Sequence, residues 1–322
     1  MNYTENNSIL QEEKFQDHKL MNNDMILKLR KTGFKKESEQ VLHCGSYLVF
    51  SKQEHQQTKE TRNRLKEANF CKFRFCSTCN WRRNRNINRE LLDAFTSIES
   101  DRSVSYIFLT LTIKNVATSD LRATVKHMND SFKRMSKTKA FKDVVLGHFK
   151  ALEIVGDKTP PGEVHPHFHI ILIVSNTYFK GNYYLSQKKW TEMWQKALRV
   201  DYTPVVDVRR IKAKETKSGK KLTALQSAVF EVAKYSVKHT ELTQKPDDEF
   251  VTIMLQTRKM RFFSTGGILK EKINLLKCDE ELINFRQEIE EMWQEIEELI
   301  YEWKDGNYRL KEIKPPQKKE ES

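Results

Sequence analysis

The chain has 322 residues, with 57 Lys and Arg against 44 Asp and Glu, a net charge of +13, and five cysteines. That length is ample for a buried core, and the excess of positive charge draws polyanions, nucleic acid first. So few cysteines exclude a disulfide scaffold. The opening MNYTENNSILQEEKF has no basic head followed by an apolar stretch, and no apolar run spans a bilayer. A soluble, cytoplasmic protein with no membrane partner is therefore expected.

In chain order, residues 1–40 are polar and without clear periodicity, which predicts a flexible arm. VLHCGSYLVF reads as a short strand or hairpin, and TKETRNRLKEANF as helical. From Lys59 to Arg89 lies the densest basic stretch, ten basic residues against two acidic. YIFLTLTIKN alternates Ile107, Leu109, Leu111 and Ile113 with Phe108, Thr110 and Thr112, the period of a strand. Asp120 is positioned to cap a helix whose stripe is Leu121, Val125, Met128, Phe132 and Met135. FKALEIV is a further strand, joined by GDKTPPGE to VHPHFHIILIV. A helix with Trp190 and Trp194, a strand TPVVDVRRIK, a charged segment KETKSGKK and a helix from Leu222 to His239 follow. In the last segment Leu282, Phe285, Ile289, Met292, Ile296, Leu299 and Trp303 alternate spacings of three and four among glutamates. That spacing predicts an amphipathic helix, either packed on its own domain or forming a homodimer.

Three groups of residues can carry chemistry. Successive strand side chains point to opposite faces, so His165, His167 and His169 share one face. If the connection folds back near Pro160 and Pro161, Glu153 comes opposite His167. Neutral imidazoles beside a carboxylate suit a divalent ion such as manganese or magnesium. The expected ligands are His167, His169 and Glu153. His165, next to Pro166 at the strand's start, is the additional candidate.

On the helix ALQSAVFEVAKYSVKHT, Glu231 and Tyr235 are four apart and Lys238 is three beyond Tyr235. Such spacing also decorates solvated helices. As a nucleophile the tyrosine would need help, because a phenol is only about one part in a thousand ionised at pH 7, a deficit of about 4 kcal/mol. A lysine beside the developing charge is one such aid. Finally, Cys71, Cys76 and Cys79 with Cys44 can surround a structural zinc, with His43 as a substitute for Cys44 and buried free thiols as the alternative. Next to them Arg82, Arg83, Arg85 and Arg89 offer guanidinium groups to a DNA backbone.

Taken in order, HCGS, ANFCKFRFCSTCNWRR, FLTLT, ALEIV, VHPHFHIIL, EVAKYSVKH and RFFSTGGILKE resemble the plasmid rolling-circle replication initiators of the HUH endonuclease superfamily. Specifically, they resemble the subfamily with Glu four residues before the catalytic Tyr. The resemblance runs from about Cys44 to about Lys270. It departs at Ser77, where proline is common, and at His239, where an acidic residue is usual. It implies that His167 and His169 bind the ion, that Tyr235 attacks DNA, and that Glu231 helps a water end the cycle.

The expected fold is α+β: an HUH-type antiparallel or mixed sheet with flanking helices at 91–270, preceded by a zinc lobe at 41–90 and followed by an acidic helix and polar tail at 271–322. The implied activity is metal-dependent nicking of one origin strand, leaving a 5′-phosphotyrosine and a free 3′-OH. The implied partners are plasmid origin DNA, a host helicase and a DNA polymerase. Two other readings stay open: a histidine-triad nucleotide hydrolase or transferase, and a non-enzymatic zinc-dependent DNA-binding protein.

Overall fold

A computed structural model of the chain describes residues 7–154, 159–180, 183–215, 221–233, 239–278 and 290–316. Three helices come first, α1 (Asn7–Leu20), α2 (Asn22–Lys31) and α3 (Lys35–His43). The hairpin β1 (Tyr47–His55) and β2 (Thr61–Ala68) leads to the long α4 (Ser77–Asp101). Next come β3 (Val104–Thr112), β4 (Val116–Ala117), α5 (Leu121–Ser136), α6 (Lys139–Lys142), β5 (Val145–Glu153), β6 (Glu163–Val164) and β7 (His167–Ser175). The chain continues through α7 (Gln187–Leu198), β8 (Val206–Arg210), β9 (Lys214–Glu215), β10 (Lys221–Leu222), α8 (Ala224–Ala233), α9 (His239–Thr243) and α10 (Asp247–Gln256). It closes with β11 (Phe263–Gly267), α11 (Ile268–Cys278), β12 (Trp293–Lys304) and β13 (Asn307–Lys314). Among the described residues no helix is long and apolar enough to cross a membrane.

The fold is α+β and divides into two compact units. One is the stretch Arg83–Lys277; the other is built from both ends of the chain, up to Arg82 and again from Cys278.

In the Arg83–Lys277 unit, five antiparallel strands run in the order β11-β5-β7-β3-β8. The central β7 is paired along both edges, and from Phe168 to Val174 its side chains are buried apart from His169, as a strand covered on two faces requires. On one face Phe108, Phe149, Ala151, Ile171 and Ile173 pack with Leu91, Ala94, Phe95 and Ile98 of α4 and with Leu225 and Val229 of α8. On the other, Phe168 meets Phe132 of α5 and Trp194 of α7. The predicted α5 stripe, Leu121, Val125, Met128, Phe132 and Met135, is buried throughout. Where β11 runs against β5, a Cβ on Gly266 would stand 2.3 Å from the His148 ring, so only glycine fits there.

The terminal unit departs from three expectations. From Asn7 onward the predicted flexible arm is helical, because Phe15, Met25, Ile26, Leu29 and Val41 are buried; these few anchors stand in too polar a background to register as a pattern. The stretch predicted as a helix, TKETRNRLKEANF, holds β2, since pairing with β1 outweighs its helical composition. The acidic segment predicted as a helix is, from Trp293, the hairpin β12–β13, in a sheet ordered β13-β12-β1-β2. Leu282, Phe285 and Ile289 of the predicted stripe lie outside the described residues.

The reason for the third departure is that the glutamates are not a solvated helix face. Glu297 pairs with Lys52 at 2.8 Å, Glu290 with Arg62 at 2.6 Å and with Arg64, and Glu295 and Glu298 with Lys66. The register shift between Val49 and Phe50 leaves Lys66 outside the ladder. Below this charged surface Leu48, Phe50 and Leu299 form a small core with Phe15, flanked by Phe70, Trp81, Tyr301 and Tyr308. The cysteine lobe is thus wider than the predicted 41–90. A chain ending at Glu291 should lose near-UV circular dichroism and bind a hydrophobic dye, because β1 loses one of its two partner strands and Phe50 its cover. An unchanged spectrum would mean that this sheet does not depend on the hairpin.

Candidate functional site

Register places the first group. In the β5–β7 ladder Glu153 faces His167 and Ala151 faces His169, while β3 sets Thr110 beside His169. Period-two alternation then brings both imidazoles and the carboxylate to one face. His167 Nε2 is 3.3 Å and His169 Nε2 3.0 Å from Glu153 Oε2. The three side chains are 12%, 11% and 11% exposed, so the cluster is nearly desolvated.

Hydrogen bonding fixes the chemistry of the cluster. The His165 backbone carbonyl can only accept, so His167 Nδ1–H donates to it at 2.8 Å. In the neutral ring this leaves the Nε2 lone pair aimed at a carboxylate, an arrangement that a proton or a cation between them resolves. Ligand atoms about 2.1 Å from one ion and at right angles stand about 3.0 Å apart, close to the spacings found. Burial pushes the Glu153 carboxyl up, but the combined hydrogen bonds and charges of His167 and His169 hold it down at about 2. The carboxylate is therefore ionised, as a ligand must be. Burial likewise lowers His169, against the pull of Glu153, which favours the neutral ligand form. The donor set fits a divalent cation. His165 is not part of it: its Nδ1 bonds to Asn115 Oδ1 at 2.8 Å.

Sequence reasoning missed two neighbours on this face. Thr110 pairs with Asp207 and Phe108 with Arg209 across the β3–β8 ladder, so both β8 side chains follow the histidine face. Arg209 lies over the Phe108 ring and bonds to Asp207 at 2.7 Å. The signal was the alternation in VVDVRR next to a strand already identified.

Helix α8 packs on the same face, through Leu225 and Val229. Glu231 belongs to α8, but its side chain, like Tyr235 and Lys238 as a whole, lies outside the described residues.

The second group lies in the terminal unit. Cys44 ends α3, Cys71 follows β2, and Cys76 and Cys79 sit at the start of α4. The Sγ of Cys44 is 3.5 Å from those of Cys76 and Cys79, and that of Cys71 is 3.6 Å from Cys79. Thiolates at about 2.3 Å from one tetrahedral zinc stand about 3.8 Å apart, so the four fit that ion and are too distant for disulfides. His43 is not among the four.

Around them, Cys71 N–H donates to Cys44 Sγ, Phe73 N–H to Cys71 Sγ, and Asn22 Nδ2 to Cys76 Sγ. The buried Lys19 ammonium donates to the carbonyls of Leu42 and Cys44, placing a cation beside the cysteine cluster. Asn22 and Lys19 come from the stretch predicted to be a flexible arm. Tyr308 OH donates to Gly45 O at 2.6 Å and Trp303 N–H to Ser46 O at 2.8 Å, so β12 and β13 brace the turn after Cys44.

Beyond the cysteines, α4 carries Arg82, Arg83, Arg85 and Arg89. Arg82, Arg85 and Arg89 follow three- and four-residue spacing along one helix face. Arg82 rests on the Phe70 ring at 3.7 Å, while Arg85 and Arg89 are exposed.

Comparison with known proteins gives a consistent result. A family model described as replication protein matches residues 62–310. A protein rep of Bacillus amyloliquefaciens is 33% identical over 295 residues, covering 86% of this chain and 85% of the relative. One from Bacillus sp is 32% identical over 273 residues, covering 80% and 87%. One from Lentilactobacillus hilgardii is 30% identical over 282 residues, covering 85% and 86%. No solved structure matches. The match spans both units, including the cysteine cluster from Cys71 on and the histidine strand, and the chain belongs to the replication protein family, the Rep proteins of plasmid rolling-circle replication.

Proposed function

We propose that this Rep protein initiates replication as an HUH-type tyrosine nickase, cutting one strand at the plasmid's double-strand origin. The observation that carries the reading is the convergence of His167, His169 and Glu153 on the sheet face against which α8 packs. Glu231, Tyr235 and Lys238 follow Val229 of that element closely in sequence.

His167, His169 and Glu153 would hold a divalent cation, manganese or magnesium, which when bound polarises a phosphate. The Tyr235 hydroxyl, losing its proton, attacks the scissile phosphorus. The bond from phosphorus to the 3′ oxygen breaks, leaving a 5′-phosphotyrosine and a 3′-OH that has taken up a proton. Lys238 offsets the developing negative charge. A host polymerase extends the 3′-OH as a host helicase opens the duplex, and Glu231 directs water at the second cleavage to end the round. An attacking side chain needs an unpaired strand, so the nick site is single-stranded or in a hairpin. The histidine-triad alternative requires His165 in the cluster, and its ring is held by Asn115 instead.

Zinc is the ion proposed for Cys44, Cys71, Cys76 and Cys79, where it acts structurally. Arg82, Arg83, Arg85 and Arg89 are proposed to contact the DNA backbone.

Three measurements test this. With a labelled origin oligonucleotide and manganese, the wild-type protein should form a covalent adduct that Tyr235→Phe abolishes; a persistent adduct removes Tyr235 from the role. Purified protein should carry one zinc per chain by mass spectrometry, and Cys76→Ser or Cys79→Ser should release it and lower the melting temperature; zinc-free protein with the same melting temperature would refute the structural role. Affinity for DNA should fall with salt by about 0.9 in log K per phosphate neutralised, and Arg85→Ala with Arg89→Ala should flatten that slope by about two phosphates. An unaltered slope would place the contacts elsewhere.

A further inference from the structure

The sheet of the Arg83–Lys277 unit has a second recess, on the face away from Glu153. β5 alternates, so while Ala151 and Glu153 belong to the histidine face, Lys150 and Leu152 point the other way; on β7 the same holds for Phe168 between His167 and His169. Lys150, Leu152, Phe168, Asn129 of α5 and the segment Met260–Ser264 line a cavity of about 280 Å³. That volume is near the lower end of small-ligand sites, about 300–1,000 Å³.

The unusual feature of this cavity is its charge. Lys150 is 8% exposed, and among the described residues no carboxylate stands within ion-pair reach of it. Its ammonium donates to Asn129 Oδ1 and lies over the rings of Phe168 at 4.0 Å and Phe132 at 4.9 Å. Asn129 is turned for this contact, because its Nδ2 donates to Val125 O at 2.9 Å. Arg261 brings a second, exposed cation to the same cavity. A lysine is seldom buried without a carboxylate partner, since desolvation penalises the charged form. Burial brings this ammonium down to about 8, so it remains largely protonated at neutral pH while no carboxylate among the described residues balances its charge.

We propose that this cavity binds a phosphate ester, with Lys150 as the buried cation and Arg261 as the cation at the mouth. A phosphate oxygen satisfies both the remaining ammonium protons and the missing counter-charge, and guanidinium groups favour the same anion. Either a free nucleotide or a nucleotide unit of a DNA strand supplies that chemistry.

The test is calorimetric titration of the full chain with inorganic phosphate, with dTMP and with an eight-nucleotide oligothymidine. The same titrations on a His167→Ala/His169→Ala protein separate this cavity from the histidine cluster, so the result stands whether or not the nickase reading does. Saturable binding of dTMP that survives in the double histidine variant is expected. Lys150→Met, which keeps the apolar stem, should weaken it at least tenfold, and Arg261→Ala at least threefold. Because Arg261 is exposed, its replacement should leave the melting temperature unchanged, which guards against misfolding of the Lys150 variant. Displacement of dTMP by the oligothymidine supports a DNA strand as the source; no displacement supports a free nucleotide. Absence of saturable binding by all three probes, or binding indifferent to both substitutions, would overturn the proposal and leave Lys150 as a packing residue.

Discussion

The pairing of β5 with β7 governs the chemistry of the Arg83–Lys277 unit. One ladder position sets Glu153 opposite His167, and the next on that face sets His169 beside Ala151, a residue small enough to let the second imidazole lean toward the same carboxylate oxygen. A slip of one residue would turn every one of these side chains to the opposite face. The surrounding ladders prevent it. β7 is held by β3 along its other edge, and β5 by β11, where Gly266 and Gly267 allow the backbone approach. The buried rows above and below then make the register costly to change.

The terminal unit is organised by a different principle. Its apolar core is small, and the segments that assemble it come from opposite ends of the chain. Carboxylates of residues 290–298 meet the cations of β1 and β2, and this complementarity selects which strand lies beside which. Exposed ion pairs are each worth little, so they contribute more to choosing the partner than to holding it. Stability falls instead to Phe15, Leu48, Phe50 and Leu299, and in the proposed reading to an ion on the four thiols.

Much of the Arg83–Lys277 unit was legible because its signals are local. Alternation in YIFLTLT and HFHIILIV marks β3 and β7, the five-residue stripe marks α5, and the double proline in GDKTPPGE points to the return that brings Glu153 to His167. The α+β class follows from those elements. The terminal unit was hidden for the converse reason. Ile296, Leu299 and Trp303 fit a helical spacing as well as a strand, and pairing decides between them, with β13 next in sequence and with β1 more than 200 residues away. The same applies to Lys19 and Asn22, whose link to the cysteines is purely spatial.

The split construction of the terminal unit carries a consequence for the order in which the protein is made. During synthesis the cysteine cluster and the β1–β2 hairpin emerge early, but β12, which pairs with the other edge of β1, emerges only after the whole of Arg83–Lys277 has been translated. The nascent chain can therefore complete its five-stranded sheet while the thiol-bearing lobe still has an open edge. Ribosomes that stall before residue 293 would release a protein with the histidine cluster assembled and the cysteine lobe unfinished.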